Sequence, residues 1–427
     1  MKINKIGIKN FKFFENAEFE FKKQFTVLLG NNGKGKSSIL DALAIGISTY
    51  LIGLDGTPNR QLRRNEIRYQ SFEPDSIEHQ VPVVLSLSGV VNNQQMNWER
   101  VQEVVGNKKT FSMSREKYAR NIISLAKEMQ SSLRNGGEVS LPLIAYHGTG
   151  RLWSEKRERK ISYKKKTSRM DGYYGSLDPE SITKAFLSWF KTFEDGVIKR
   201  GKDKTLYNAF VRAIEIATGW KEIHFSWEED DMMGYLELDN KWHPLSSLSD
   251  GYRGIVGLVA DLAYRCIKLN PHLGENAVVD TAGIVLIDEL DMHLHPNWQK
   301  HVIADLKTIF PNLQFVATTH SPFIVQSLEA DEVINLDTKT TENPYEKSIE
   351  DIAEEDMLVE DVQRSEKFLN MISVAENYFK LIEEGKTMED KELRLLKEKL
   401  DILAMPFEKN PAYVALLKAE RKSELGI

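Results

Sequence analysis

The apolar residues of this chain follow two patterns, one alternating and one continuous. The N-terminal segment MKINKIGIKNFKFF alternates apolar and polar residues, and so do VPVVLSLSGVV and MNWERVQEVV farther along the chain. Alternation of this kind predicts antiparallel strands with one face in the core. Four other segments are almost continuously apolar before they end in polar residues: FTVLLG, LPLIAYHG, GIVLIDE and LQFVATTH. Such runs are typical of strands in a buried parallel sheet.

Helical periodicity occupies most of the chain between these strands. Apolar residues recur at helical spacing at 39–54, 114–134, 179–196 and 204–219. A further apolar helix opens at the Ser–Asp–Gly triplet of LSSLSDGYRG (245–254), and the chain is charged and helical from about residue 345 onward. These patterns predict an α/β fold that has an antiparallel β subdomain, a helical insertion and a C-terminal helical tail.

We therefore expect four regions along the chain. Residues 1–110 form an N-terminal lobe, 111–244 an insertion of helices and loops, 245–340 a C-terminal lobe, and 341–427 a helical region that docks a partner. The last region has apolar residues at helical spacing: Phe368, Leu369, Ile372, Ala375, Tyr378, Phe379 and Ile382. Such a stripe packs on the protein's own core or docks a partner, and the pattern allows both outcomes.

Composition narrows the class of protein. The 427 residues are 41% hydrophobic and 28% charged with a net charge of −6, which is typical of a globular protein without a uniformly basic surface. Because Cys266 is the single cysteine, an intrachain disulfide and a cysteine-based zinc site are excluded, and we expect the reducing cytoplasm. The N-terminus lacks a signal-peptide pattern, and the apolar run 39–54 is too short to span a bilayer. We expect no contact with a membrane.

One segment is strongly basic, although the chain as a whole has a net negative charge. Residues 151–169, RLWSEKRERKISYKKKTSR, contain nine Lys or Arg and two Glu without apolar periodicity, which predicts a loop. Trp153 and Tyr163 lie within it, where they could stack on bases or anchor the loop. The pattern is compatible with a contact to DNA or another nucleic acid and equally with a solvated charged surface.

The segment GNNGKGKSS (30–38) carries the first candidate chemistry. It satisfies Gly-x-x-x-x-Gly-Lys-Ser between a predicted strand and a predicted helix. Its glycines allow backbone N–H groups to wrap phosphates, and the helix N-terminus adds a positive dipole end. We expect Lys36 to reach the β- and γ-phosphates of ATP and Ser37 to bind Mg²⁺. The predicted nucleotide-binding residues here are Gly30, Asn31, Asn32, Gly33, Lys34, Gly35, Lys36, Ser37 and Ser38.

Two acids and a histidine follow later apolar strands. In IVLIDEL, Asp288 ends a strand and can bind Mg²⁺, and Glu289 can polarise the attacking water. TTHSP places His320 at the end of the next strand, where it can sense the γ-phosphate. We therefore predict Lys36, Glu289 and His320 as catalytic residues of ATP hydrolysis, with Ser37 and Asp288 at the metal.

The segment DMHLHPNW also suggests a metal site, because Asp291, His293 and His295 are closely spaced. No further histidine or cysteine cluster completes a set of ligands. We interpret the segment as a connecting loop that touches a neighbouring subunit.

The order of these motifs resembles that of a known family. The P-loop (the Walker A motif), LSDGY before a helix, LIDE, LHP and TTH follow one another as in ABC-type ATPase heads of the SMC/RecF/OLD group. The resemblance implies a P-loop ATPase that dimerises, with the LSDGY segment closing over ATP held by the Walker A of the second subunit. Ser249, Gly251 and the following helix would then bind the partner's γ-phosphate, while Ser249 also caps its own helix.

Several positions depart from that family's pattern or match it less specifically. Asp250 and Tyr252 replace the glycine and glutamine of transporter-type segments. No Q-loop glutamine is evident, and His147 stands at a comparable place after its strand. Lys12 in IKNFKFF matches a basic residue that related heads place near the nucleotide, and a solvated lysine at a strand end is an equal alternative.

A narrower resemblance covers nearly the whole chain. The chain resembles the PtuA family of Septu and retron-linked anti-phage systems in the spacing of four segments: IKNFKFFENAEF, AYHGTGRLW, IDELDMHLHPNWQ and FEKNPAYVALLKAER. This resemblance implies an ATPase that acts as a homodimer or higher even oligomer together with a separate HNH nuclease, PtuB.

Other functions share parts of this pattern. A DNA-repair clamp of the RecF or SMC kind, with no nuclease partner, shares every catalytic residue. The motor of a membrane transporter is disfavoured because the chain between Ser38 and Leu248 is far longer than a compact motor needs. An intrinsic OLD-type nuclease would need an Asp-x-Asp pair after His320, which the sequence lacks. Any cutting of nucleic acid therefore requires another polypeptide.

Overall fold

In the computed structural model, strands predominate among the first 111 residues and helices after residue 345. The structure describes residues 1–73, 76–106, 109–111, 117–152, 168–178, 183–201, 203–237, 240–338, 342–360, 365–386 and 390–407. The strands are β1 Lys2–Phe11, β2 Phe14–Glu20, β3 Phe25–Leu29, β4 Leu62–Arg63, β5 Tyr69–Glu73, β6 Ser76–His79, β7 Val83–Val91, β8 Gln94–Gln102, β9 Thr110–Phe111, β10 Leu143–His147, β11 Lys221–Ser226, β12 Asp231–Leu236, β13 Lys241–Pro244, β14 Gly283–Ile287, β15 Leu313–Thr318 and β16 Val333–Asn335. The helices are α1 Lys36–Ile52, α2 Arg120–Arg134, α3 Thr183–Arg200, α4 Thr205–Thr218, α5 Asp250–Leu269, α6 Ala277–Asp280, α7 Pro296–Gln299, α8 Val302–Ile309, α9 Pro322–Val325, α10 Ile349–Asp351, α11 Glu366–Glu383 and α12 Lys391–Ala404.

The chain divides into two units, Met1–Ile352 and Ala353–Ile427. Most of the basic segment 151–169 lies outside the described residues. Its contact with nucleic acid therefore stays a prediction.

A parallel sheet with the strand order β10-β14-β15-β3-β16 forms the centre of the first unit. β10, β14, β15 and β3 are buried along their whole length, as their continuous apolar sequences predict. β15 lies between β3 and β14. The three strands that precede the predicted motifs therefore end side by side.

The alternating N-terminal segments form an antiparallel sheet in the order β2-β1-β7-β8. Along β7 buried and half-buried residues alternate, which agrees with the period of two in its sequence. A smaller antiparallel sheet, β11-β12-β13, directly precedes the LSDGY segment and α5. These sheets confirm the predicted α/β fold with an antiparallel subdomain.

Helix α1 joins the two larger sheets. Its side chains are buried from Ile39 to Leu51 except at Asp41, and it contacts strands of both sheets. Trp98 of β8 donates its indole N–H to the carbonyl oxygen of Gly46 at 3.0 Å. A helix that is apolar on nearly every side belongs inside a core. Within the described part of the chain, no helix has both the length and the apolar character needed to cross a bilayer.

The helices of the predicted insertion follow the apolar periodicity, with different starting residues. α2 and α4 lie within predicted stretches and begin at Arg120 and Thr205. α3 begins at Thr183 within the third stretch and ends at Arg200, beyond the predicted end at 196. Helix α5 holds Cys266 fully buried, and burial raises the pKa of its thiol above the ordinary value. This environment agrees with a structural rather than a reactive cysteine.

In the second unit the predicted stripe of α11 packs against α12. Ala375, Tyr378 and Phe379 form a buried cluster with Leu393 and Leu400. Apolar side chains of two helices that face each other in this way form a helical hairpin. Much of the stripe is therefore covered within its own unit.

One glutamine ties the N-terminal strand to the centre of the parallel sheet. Gln314 of β15 is fully buried and accepts a hydrogen bond from the backbone N–H of Ile3 at 2.7 Å. Its amide group donates to the carbonyl oxygens of Ile3 and Lys22, each at 2.7 Å. The side chain thus satisfies three backbone groups that lie about three hundred residues away in the sequence.

We expect Gln314→Leu to lower the free energy of unfolding by about 2 to 4 kcal/mol, because these backbone groups would lose their partner. Urea unfolding followed by circular dichroism measures the change. Gln95→Leu, at an exposed position of β8, is the matched control and should change stability by less than about 0.5 kcal/mol. Equal losses in the two variants would contradict the role of Gln314.

Candidate functional site

The P-loop begins where β3 ends and closes at the first turn of α1. Gly30, Gly33 and Gly35 have φ angles of 145°, 84° and 91°, in a region that L-residues with a side chain rarely adopt. A Cβ atom on Gly35 would lie 2.7 Å from the ring of Phe14. The loop therefore needs glycine both for its backbone conformation and for its contact with the antiparallel sheet.

Lys36 lies at the start of α1 and is buried. Its ammonium group donates to the carbonyl oxygens of Gly30 at 2.5 Å and Asn31 at 3.2 Å. Burial lowers the pKa of Lys36, and nearby carboxylates, Asp288 foremost, oppose this shift. The ammonium is thus held inside the glycine-rich loop, where phosphates bind in P-loop proteins.

Ser37 and Asp288 come together at the end of the sheet. The Ser37 hydroxyl donates to Oδ1 of Asp288 at 3.1 Å. A hydroxyl and a carboxylate oxygen are the ligands that Mg²⁺ prefers, and Mg²⁺ bound with a nucleotide takes its remaining ligands from phosphates and water. The two residues predicted at the metal therefore fit Mg²⁺.

Glu289 adopts an unusual backbone conformation, with φ at 51°. Its backbone N–H donates to the hydroxyl oxygen of Thr318 at 2.7 Å, and the same hydroxyl donates to Oδ1 of Asp288 at 2.7 Å. The next residue, Leu290, donates to the carbonyl oxygen of Thr318 at 2.9 Å. Thr318 was not among the predicted site residues, although it lies within the TTH segment.

His320 is exposed just beyond β15. Its backbone N–H donates to Oδ1 of Asp291 at 3.1 Å, and the Thr319 hydroxyl donates to the same oxygen at 2.6 Å. Asp291 therefore joins the loop after β14 to the loop after β15. Among the described residues, no group of three or more His, Cys, Asp or Glu side chains is arranged to hold a metal ion.

Lys12 is part of a charged network rather than a solvated strand end. Its ammonium group pairs with Asp41 of α1, whose other oxygen accepts from Arg60 at 2.8 Å. Arg60 also pairs with Glu66 at 2.6 Å, and both of these side chains are buried. Arg60 and Glu66 were not predicted from the sequence, since their charges have no motif around them.

This network borders a cavity of about 400 Å³ beside the P-loop. The lining includes Ser37 and Asp288 together with Lys12 and Arg60. Tyr146 also lines it, and burial raises the pKa of its phenol above the ordinary value. The cavity thus connects the predicted metal ligands with Lys12.

Asp337, two residues after β16, contacts the P-loop from the far edge of the sheet. Its carboxylate accepts from the backbone N–H of Asn31 at 2.5 Å and pairs with Lys34 at 2.8 Å. The hydrogen bond from Lys34 is the first cause that lowers the pKa of Asp337. The ammonium of Lys34 therefore pairs with a carboxylate, whereas that of Lys36 donates to backbone carbonyl oxygens of the loop.

The LSDGY segment begins α5 with Ser249 at the N-cap position. Ser249 is exposed, and its hydroxyl makes no capping hydrogen bond, contrary to our expectation that it caps its own helix. A Cβ atom on Gly251 would lie 2.1 Å from the carbonyl oxygen of His293. Only glycine therefore allows the DMHLHPNW loop to pack against the start of α5.

Tyr252 and His147 serve the interior of the protein. The Tyr252 hydroxyl donates to the carbonyl oxygen of Thr218 at 2.5 Å, and burial raises its pKa to about 12. The imidazole Nε2 of His147 lies 3.5 Å from Asp261 of α5, and its carbonyl oxygen accepts from the N–H of Asp288 at 2.8 Å. Tyr252 thus anchors the LSDGY segment to the rest of the unit through its hydrogen bond to Thr218.

Comparisons with known proteins agree with this geometry. Two family models match the chain: an AAA domain at residues 5–195, and an AAA domain described as putative AbiEii toxin, Type IV TA system, at residues 149–326. The retron Vc95 probable ATPase of Vibrio cholerae serotype O1 biovar El Tor is 25% identical in an alignment 412 positions long. The alignment covers 82% of this chain and 78% of the relative.

A second relative and a solved structure extend the comparison. The Septu protein PtuA of Bacillus mycoides (strain KBAB4) is 26% identical over 341 residues, which cover 78% of this chain and 40% of PtuA. The chain thus spans less than half the length of that relative. The SMC head domain from Thermotoga maritima aligns with a TM-score of 0.41 at 15% identity, over 77% of this chain and 93% of the solved one.

The P-loop, the acid pair and the AAA matches together indicate an ATPase. Within that class the chain is similar to a retron ATPase and to Septu PtuA. The class of enzyme and the relatives predicted from the sequence are therefore confirmed.

We expect Lys36→Ala to weaken ATP binding about tenfold to a hundredfold, because a charged donor to the phosphates would be lost. Fluorescence titration with a labelled ATP analogue measures the affinity. Lys34→Ala removes the same charge from the same loop, and should weaken binding less than about fivefold because its exposed ammonium pairs with Asp337. An equal loss in both variants would contradict the assignment of Lys36.

Proposed function

We propose that this chain is the ATP-hydrolysing subunit of a cytoplasmic anti-phage defence complex, in which two copies share composite nucleotide sites and regulate a separate HNH nuclease. The observation that carries the proposal is the exposed Ser249 hydroxyl at the N-terminus of α5, which makes no bond to its own helix. A hydroxyl at a helix N-terminus suits a phosphate, and its exposure suits one that another copy presents.

Apart from Ser249, the residues of each nucleotide site come from the copy that holds the nucleotide. The P-loop N–H groups and Lys36 hold the phosphates, and Ser37 and Asp288 hold Mg²⁺. When bound, the metal neutralises charge on the phosphates. Glu289 orients the attacking water, and His320 contacts the γ-phosphate from the next strand. Lys12 is assigned to the nucleotide because it borders the same cavity as Ser37.

The defence role rests on similarity to a retron ATPase and to Septu PtuA.

The second unit has an exposed apolar surface that supports the proposal of a partner protein. Helix α12 exposes Leu395 and Ile402, and Met405 directly after it is also exposed. Residues seven apart, such as the first two, lie on one helix face. Exposed apolar side chains grouped in this way are typical of a docking surface. We assign this face to the nuclease, because α12 itself covers much of the α11 stripe.

We expect Glu289→Gln to bind ATP and accumulate as a dimer, because hydrolysis stops while the composite sites stay closed. Size-exclusion chromatography with light scattering, in ATP and Mg²⁺, measures the dimer. Adding Ser249→Arg should return this protein to a monomer that still binds nucleotide. Adding Ser131→Arg, at an exposed position of α2, is the control and should leave the dimer intact.

Two results would contradict the proposal. Steady ATP hydrolysis by Glu289→Gln would exclude Glu289 as the residue that orients water. A dimer that persists with Ser249→Arg would show that the LSDGY segment does not close over the second copy's nucleotide.

The partner is tested by purifying the tagged protein from its native cells and identifying what accompanies it by mass spectrometry. We expect an HNH nuclease, and we expect Leu395→Glu with Ile402→Glu to lose it, since these charges would disrupt the apolar face. Lys397→Glu on the same helix is the control and should retain it. Recovery of a recombination mediator instead of a nuclease would favour a RecF- or SMC-like repair clamp.

A further inference from the structure

Thr318 occupies the end of β15, between the strand that leads to the P-loop and the strand that leads to the acid pair. Its side chain is fully buried. The hydroxyl donates to Oδ1 of Asp288 and accepts from the N–H of Glu289, each at 2.7 Å. One hydroxyl therefore contacts both acids of the site through opposite hydrogen-bonding roles.

The contact to Glu289 matters because that residue has a φ of 51°. A residue with a side chain adopts this conformation at a cost of about 1 to 3 kcal/mol and persists there when its surroundings impose it. Thr318 accepts from Glu289 with its hydroxyl and from Leu290 with its carbonyl oxygen. Two successive backbone N–H groups of the strained turn are thus bound by one threonine.

The contact to Asp288 fixes the direction of a carboxylate that also accepts from Ser37. Ser37 belongs to the P-loop, and its oxygen would be a ligand of bound Mg²⁺. The donor from Thr318 comes from the sheet, so it can orient Asp288 both with and without a metal. Groups that orient a metal ligand from behind typically change metal affinity about tenfold to a hundredfold when they are removed.

The next residue offers a natural comparison. Thr319 is also fully buried, and its hydroxyl donates to Asp291 at 2.6 Å rather than to either acid of the pair. The two threonines therefore differ in which acidic residue they contact, while burial and side chain are the same.

We propose that Thr318 is a positioning residue for ATP hydrolysis: its hydroxyl orients Asp288 for Mg²⁺ and holds the turn that aims Glu289. This inference rests on the roles proposed above for Asp288 and Glu289. Thr319 positions the loop of Asp291 and has no part in binding the metal.

The test compares Thr318→Val, Thr318→Ser and Thr319→Val by two measurements. The first is the Mg²⁺ concentration at half-maximal binding of a fluorescent ATP analogue. Thr318→Val should raise it about tenfold to a hundredfold, whereas Thr318→Ser, which keeps the hydroxyl, and Thr319→Val should stay within about twofold of the unchanged protein. Binding of the analogue without Mg²⁺ should be equal in all of them.

The second measurement is amide hydrogen exchange at Glu289 in the nucleotide-free protein. Exchange should be faster in Thr318→Val, because this N–H loses its acceptor, and unchanged in Thr318→Ser and Thr319→Val. Thr318→Ala, which leaves room for water, replaces the valine variant if that protein does not fold, with the same expectations.

Two patterns would overturn the inference. One is an unchanged Mg²⁺ midpoint in Thr318→Val, and the other is an equal shift in Thr318→Val and Thr319→Val. Asp288→Ala separates this outcome from a failure of the proposed function. If Asp288→Ala also leaves the midpoint unchanged, the assignment of the metal ligand is wrong; if it raises the midpoint, only the role of Thr318 is lost.

Discussion

The parallel pairing of β15 with β3 on one side and β14 on the other is the constraint on which the site depends. In this register Thr318 lies beside Leu28, and Ala317 lies beside Ile287. The P-loop and the acid pair therefore leave the sheet at the same level, at its carboxyl edge. A slip of β15 by one residue would turn its side chains to the opposite faces and remove the Thr318 hydroxyl from Asp288. The apolar contacts of this buried strand thus determine the geometry of the polar site.

The charges at this edge bear on how the proposed nucleotide and metal would bind. The carboxylates of Asp288, Asp337, Glu289 and Asp291 raise the pKa of Lys36 against the effect of burial. The same carboxylates repel a triphosphate, and the repulsion is strong in a partly buried site. A divalent cation at Ser37 and Asp288, as proposed above, would offset it. Under that proposal the cluster of acids favours ATP in its Mg²⁺-bound form.

The sequence predicted those parts of the site that depend on neighbouring residues. The strand, glycine loop and helix at 25–48 are contiguous, so their pattern gives the local fold and predicts roles for Lys36 and Ser37. Asp337 and Arg60 could not be predicted in this way, because they reach the P-loop region through tertiary pairing and no local pattern marks them. The hydroxyl of Ser249 was expected to cap α5, and whether it does depends on a rotamer that sequence does not specify.

The close approach of Gly251 to the carbonyl oxygen of His293 has a mechanical consequence. Backbone in contact with backbone leaves no soft side chain to absorb a displacement. A push on the first turn of α5 is therefore transmitted to the loop that carries Asp291, and through Asp291 to the peptide of His320. Pressure from a neighbouring molecule on this face would in this way be felt at the strand end where His320 is proposed to contact the terminal phosphate.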